Sequence, residues 1–186
     1  VADYVLKHTP GNTVSNLSSS RALKDVTEAY GQQYHAAAVG EVNVVAEMKR
    51  THSVIGGEGN GGVIYPESHY GRDALVGVGL FLSHYVAQSK KMTELKSTYP
   101  PYFISKNKMT LSPDMDVDKI LEGLKERYAT EKVTDIDGVK IDFAQGWVHL
   151  RKSNTEPIIR IYSEAKDEAA ANQLAEEVIA AAKSTL

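Results

Sequence analysis

The run Arg151-Lys152-Ser153-Asn154-Thr155-Glu156-Pro157 holds two cations, two hydroxyls and an amide within five residues, and Arg160 follows shortly after. Arginine carries a planar fork of donors that matches two oxygens of a phosphate at once. Hydroxyls and turn amides add further donors, as in a backbone nest. The apolar, β-rich runs 147–151 and 158–162 flank the segment, so the array sits at the turn of a hairpin. A phosphate dianion is the guest such a concave donor cluster suits. The plain alternative is a solvated basic hairpin. A helix capping box at Ser153 and Glu156 is a third reading, opposed by Pro157 and the strand-like run after it.

A second polar loop lies upstream. Gly57-Glu58-Gly59-Asn60-Gly61-Gly62 fits the spacing of a dinucleotide fingerprint, but that fingerprint requires a helix to open at the loop. Here Val63-Ile64-Tyr65-Pro66 follows, which is extended and then turned. What remains is a flexible backbone presenting a carboxylate at Glu58 and an amide at Asn60, a pair suited to vicinal hydroxyls such as those of a sugar ring. The alternative is a tight turn with a solvated Glu58.

Other candidates resolve into structure. Asp114, Asp116 and Asp118 follow Ser112-Pro113 and open a helix, where carboxylates cap amides and offset the macrodipole. They lack the glycine and distal glutamate of a calcium loop. Ser68-His69 and Ser83-His84 are neighbours in sequence, which does not make a nucleophile and its base. The six histidines show no metal-ligand spacing. Trp147 is assigned to the core.

The elements that must position these loops fall into two groups. Residues 1–8 read as the end of a helix, stopped by Pro10-Gly11. Strand-like runs at 13–17, 34–39 and 53–56 alternate with helical runs at 21–30 and 42–50. A long apolar helix spans 73–88. This β-α-β alternation with short connections predicts a parallel sheet covered by helices. Tyr99-Pro100-Pro101 breaks the pattern. Beyond it come a strand at 102–111 and a helix at 113–128. Short strands follow at 133–136, 139–141, 147–151 and 158–162, and then a helix at 167–183. Strands between two helices predict a small α+β domain with a mostly antiparallel sheet. The boundary is placed near residue 100, giving domains 1–99 and 100–186.

Composition narrows the classes. A formal net charge of −3 supplies no global basic field for nucleic acid or an anionic membrane, so any anion site is local. The absence of cysteine excludes disulfides and thiolate chemistry. No apolar run reaches the length of a membrane-spanning helix. The chain opens without Met inside an amphipathic pattern, Val1-Ala2-Asp3-Tyr4-Val5-Leu6, and is expected to be part of a longer polypeptide.

The 151–157 segment resembles the phosphate-binding motif in the last domain of the α-D-phosphohexomutases, which include phosphoglucomutases, phosphomannomutases and phosphoglucosamine mutases. The 57–62 loop, shortly before Tyr70-Gly71-Arg72-Asp73, is similar to the family's sugar-recognition loop. The two motifs stand in the family's order, with a domain boundary between them. The resemblance implies an α/β fold: a three-layer third domain, truncated at its start, followed by a TBP-like α+β fourth domain. It implies that Arg151, Ser153, Asn154, Thr155 and Arg160 bind a substrate phosphate, and that Glu58 and Asn60 contact sugar hydroxyls. It further implies a cytoplasmic isomerase of carbohydrate metabolism. In such an enzyme a phosphoserine, Mg2+ and a hexose 1,6-bisphosphate act through domains that precede this chain. No T-A-S-H-N-P-like nucleophile segment or D-G-D-x-D-R-like metal loop occurs here, so no catalytic or metal residue is assigned and the chain alone is expected to be inactive. Where many members have Ser-Gly-His in the sugar loop, this chain has Asn60-Gly61-Gly62. The competing class is a self-standing, non-catalytic module that binds a sugar phosphate.

Overall fold

The computed structural model describes residues 1–112, 115–153 and 155–184. It divides into two compact units, 1–101 and 102–186.

The first unit is built on a four-stranded sheet. Helix α1 (Ala2–His8) leads to β1 (Thr13–Asn16), α2 (Ala22–Ala29), β2 (Tyr34–Ala37), α3 (Glu41–Thr51) and β3 (Ile55–Gly57). Strand β1 lies between β2 and β3 and pairs with both in parallel, Thr13 standing opposite Tyr34 on one side and Ile55 on the other. Every residue of β1 is buried, as expected of a central strand covered on both faces. On one side Thr13 shares a 2.6 Å hydrogen bond with Thr27 of α2. On the other, Val14 enters a core with Ala37, Val44, Met48 and Ile64, two of them supplied by α3. The sequence pattern predicts this alternation. It does not predict β4 (Val63–Ile64), which returns antiparallel to β3 at the sheet edge. Two residues are too few to produce a period-2 signal.

Helix α4 (Ala74–Gln88) opens at Asp73, whose carboxylate accepts from the Val76 amide at 2.9 Å. That N-cap satisfies a donor left over at the helix start. A short helix, α5 (Met92–Lys96), follows, absent from the sequence expectation because five residues carry little periodicity. Within this unit Asp3 of α1 gathers two tyrosines. Tyr30 Oη donates to its Oδ1 at 2.6 Å and Tyr99 Oη to its Oδ2 at 2.7 Å. Since the Tyr99 proton goes to Asp3, the 2.8 Å contact between Tyr99 and His84 assigns the donated hydrogen there to Nε2 of His84. His84 thus sits in a structural cluster on α4.

The second unit holds β5 (Phe103–Thr110), α6 (Val117–Arg127), β6 (Lys132–Thr134), β7 (Val139–Asp142), β8 (Gly146–Lys152), β9 (Ile158–Ala165) and α7 (Glu168–Lys183). Its sheet runs in the order β5-β9-β8-β7-β6 with every pairing antiparallel. The core joins Ile120 and Leu124 of α6 and Leu174 and Val178 of α7 to Ile141, Val148, Leu150, Ile159 and Ile161 of the sheet. Helix α7 starts at Asp167, which accepts from the Ala170 amide at 2.8 Å. Helix α6 begins later than residue 113. Asp116 is its N-cap, accepting from the amides of Asp118 and Lys119, while Asp114 lies outside the described residues.

Side chains alternate between faces along a strand. With Val148 and Leu150 turned toward the helices, Trp147, His149 and Arg151 occupy the opposite face. Trp147 is fully buried there, donating from Nε1 to Glu164 at 2.9 Å, with the Lys140 ammonium 4.5 Å from its ring centre.

Candidate functional site

The hairpin of β8 and β9 carries the first cluster. Arg151 is half-buried near the end of β8 and stands directly opposite Arg160 on β9. Arg160 is in turn opposite Lys108 of β5. Residues in register on adjacent strands point to one face, so the three cations form a row across three strands. Lys108 was not singled out from the sequence. Its alternation with Lys106 along a β-rich run was the available signal, but the pairing of the first strand with the last was not legible.

Ser153 follows β8 and is only 6% exposed. Its amide donates to the Ile158 carbonyl at 3.0 Å, closing the turn. Its hydroxyl lies 3.4 Å from both the amide and the hydroxyl of Thr155. Thr155 itself is exposed. Glu156 reaches back to Arg160 at 3.1 Å, with both side chains partly open to solvent. Asn154, assigned to the same cluster, lies outside the described residues. The hairpin therefore brings together Arg151, Ser153, Thr155 and Arg160. Gly138, just before β7, fixes the base of this arrangement. Its φ is +70°, and a Cβ there would collide with the Leu150 carbonyl and the backbone of Arg151.

The glycine-rich loop carries the second cluster. It connects β3 to β4, and no helix opens at its end, which removes the dinucleotide reading. The turn is closed by Glu58 N to Gly62 O at 2.9 Å and Gly61 N to Glu58 O at 3.0 Å. Gly57 comes so close to the Gly62 carbonyl that any Cβ would collide with it. Asn60 is exposed, and its Oδ1 accepts from the Gly62 amide at 3.0 Å. Glu58 is not solvated. Its side chain is 6% exposed, with Oε1 accepting from Asn16 Nδ2 at 3.1 Å and Oε2 paired with Arg72 Nη1 at 3.1 Å. Behind Asn16, Ser19 donates to Asn16 Oδ1 at 2.8 Å. Arg72 is held by Glu41, which accepts from its Nε and from its backbone amide, each at 2.8 Å. The Arg72 amide and guanidinium keep the Glu41 carboxyl below its usual pKa. A pocket of about 250 Å³ lies against this network, lined in part by Ser19, Ser20, Glu58, Gly59 and Gly61.

Asn16, Glu41 and Arg72 are functional candidates that the spacing of the loop did not reveal. They lie 42, 17 and 14 positions from Glu58 and meet it only through the sheet and the start of α3. Among the described residues no group of three His, Asp or Glu side chains is placed to hold a metal ion. Among them, too, no helix is long and apolar enough to cross a membrane.

Comparison with known proteins places both units in one family. Residues 1–102 match the family model described as phosphoglucomutase/phosphomannomutase, alpha/beta/alpha domain III, and residues 106–181 match that of the C-terminal domain. The chain is 36% identical over 167 residues to a phosphoglucosamine/phosphogalactosamine mutase of Sulfurisphaera tokodaii, covering 89% of this chain and 37% of that protein. It is 37% identical to a phosphoglucomutase/phosphomannomutase of Thermococcus kodakarensis, covering 95% of this chain and 39% of that one. It spans about two fifths of the length of these relatives. In fold it is similar to a phosphoglucomutase/phosphomannomutase family protein from Burkholderia thailandensis, with a TM-score of 0.80 at 23% identity over 99% of this chain and 40% of that one. With both units matched in sequence by successive domains of one family, the chain belongs to the α-D-phosphohexomutase superfamily and represents its domain III and IV region.

Proposed function

We propose that this chain is the sugar- and phosphate-holding part of a phosphohexomutase, an isomerase that interconverts hexose 1-phosphates and 6-phosphates. The reading extends from family membership to activity, and the observation that carries it is the opposition of Arg151 and Arg160 beside the buried Ser153. Like charges in register on adjacent strands are destabilising, and an anion bound beside them relieves the repulsion. A phosphate dianion accepts bidentately from such forks. Ser153 and Thr155 add hydroxyl donors to the set.

In this reading residues 1–99 recognise the sugar and residues 100–186 anchor the phosphate that is not being transferred. Glu58 accepts from two neighbouring hydroxyls and Asn60 contacts the ring from the same loop. The phosphoserine and the carboxylates that hold Mg2+ lie on polypeptide outside this chain. The metal, when bound there, offsets charge on the transferring phosphoryl group. A hexose 1,6-bisphosphate, the intermediate of such a reaction, would present either of its phosphates to the hairpin. The setting is the cytoplasm, where hexose phosphates are metabolised.

Titration with glucose 1-phosphate tests this directly. Backbone amide resonances of residues 151–160 are expected to shift, and Arg151→Ala to weaken binding by about ten- to a hundredfold, the value of a hydrogen bond to a charged group. Unchanged shifts in that variant overturn the assignment. The chain alone is expected to show no mutase turnover, and detectable turnover contradicts a nucleophile lying elsewhere.

A further inference from the structure

The sugar-recognition carboxylate does not stand alone. Glu58 is nearly enclosed, and each of its oxygens is engaged from a different element: Oε1 by Asn16 at the end of β1, Oε2 by Arg72 just before α4. Arg72 is itself immobilised twice. Its backbone forms a bridge to Ile64 of β4, and Glu41, the first residue of α3, binds both its amide and its Nε. A buried carboxylate with no partner is costly, and one held by a single flexible side chain would sample several rotamers. Here two donors from rigid elements fix both oxygens and leave their remaining lone pairs as acceptors.

We propose that Arg72 is a positioning residue for Glu58, and that Glu41 acts through Arg72, so that hydroxyl recognition depends on a Glu41–Arg72–Glu58 relay. The inference rests on the reading of Glu58 as a sugar contact. Arg72 need not touch the ligand. Its planar fork divides its donors between Glu41 and Glu58, a division that a lysine ammonium cannot reproduce with the same geometry. Loss of the fork frees Glu58 to rotate and lowers discrimination for the sugar, while the 151–160 hairpin keeps its grip on phosphate.

The test compares binding of glucose 1-phosphate with that of inorganic phosphate by calorimetry on the full chain, for the wild type, Arg72→Gln, Arg72→Lys and Glu41→Gln. The wild type is expected to prefer the hexose phosphate. Arg72→Gln is expected to reduce that preference about tenfold with inorganic phosphate affinity unchanged. Arg72→Lys should fall between the two. Glu41→Gln leaves Arg72 in place and covers the case in which Arg72→Gln fails to fold; it should lose part of the preference with an unchanged melting midpoint. A wild type with no preference overturns the reading of Glu58 itself. A wild-type preference that survives in both Arg72→Lys and Glu41→Gln overturns the relay and leaves that reading standing.

Discussion

Arg151 and Arg160 face one another in register across β8 and β9, and Lys108 continues the row on the far side of Arg160. Like charges directly opposite on neighbouring strands are destabilising, and the partly solvated Glu156–Arg160 pair offsets this only in part. The unit should therefore gain stability from phosphate beyond what ionic strength provides. At a hundred times its dissociation constant, a bound ligand adds about 2.7 kcal/mol. The melting midpoint is expected to rise with phosphate at constant ionic strength, and Arg151→Gln to remove that rise. An equal rise in both proteins contradicts the site.

Acid should weaken the second unit through His149. This imidazole is buried on β8 and donates from Nε2 to the Asp137 carbonyl at 2.7 Å. Burial lowers its pKa from 6.5 to about 4. Between those values the unfolded chain takes up a proton that the folded chain refuses, so stability falls as the pH falls through this window. The loss is on the order of 3 kcal/mol. Urea unfolding followed by fluorescence of Trp147, the chain's single tryptophan, should show this slope. His149→Gln should flatten it, and identical slopes in both proteins would disprove the cause.

Removing the cap of α7 offers a separate measure. Asp167→Ala deletes the acceptor of the Ala170 amide and should cost about 1 kcal/mol, read as a lower urea midpoint with an unchanged slope. A loss below a few tenths of a kcal/mol would mean that water replaces the cap without cost.

In the first unit, burial works to raise the Asp3 carboxyl, but the Tyr30 and Tyr99 hydroxyls and the His84 charge outweigh it and leave the pKa lowered from 3.8. The stability this contributes is present above the unfolded value and is lost as pH falls through the folded one. Tyr99→Phe withdraws one donor. Its acid unfolding, followed by far-ultraviolet circular dichroism, is expected to begin at higher pH than that of the wild type. An unshifted acid limb would exclude Asp3 as its source.

The sequence carried the periodic elements and the two polar loops, because both are local signals. Apolar spacing along 42–50 gives α3, and β-rich runs on either side of 151–157 give the hairpin. Pairings between distant segments were another matter. Nothing in residues 103–110 announces β9 as their neighbour, so Lys108 was missed. Glu58 was legible as a carboxylate in a glycine loop, yet its alternative reading as a solvated side chain fails only in three dimensions. Asn16 and Arg72 arrive from β1 and from the segment before α4. Tyr99 reaches Asp3 across 96 positions, a contact no spacing rule proposes.

Gly138 lies outside the 151–160 hairpin, yet it sets a limit on how that hairpin can evolve. Its missing side chain lets the chain before β7 press against the backbone of β8 at Leu150 and Arg151. Specificity can drift by exchanging loop side chains at 153–156, since those changes leave the strands where they are. A side chain at 138 would instead displace the strand that carries the arginine, disturbing every donor on it at once. The position is thus closed to gradual change, and a library aimed at altering what the hairpin binds would do best to hold it constant while varying the turn.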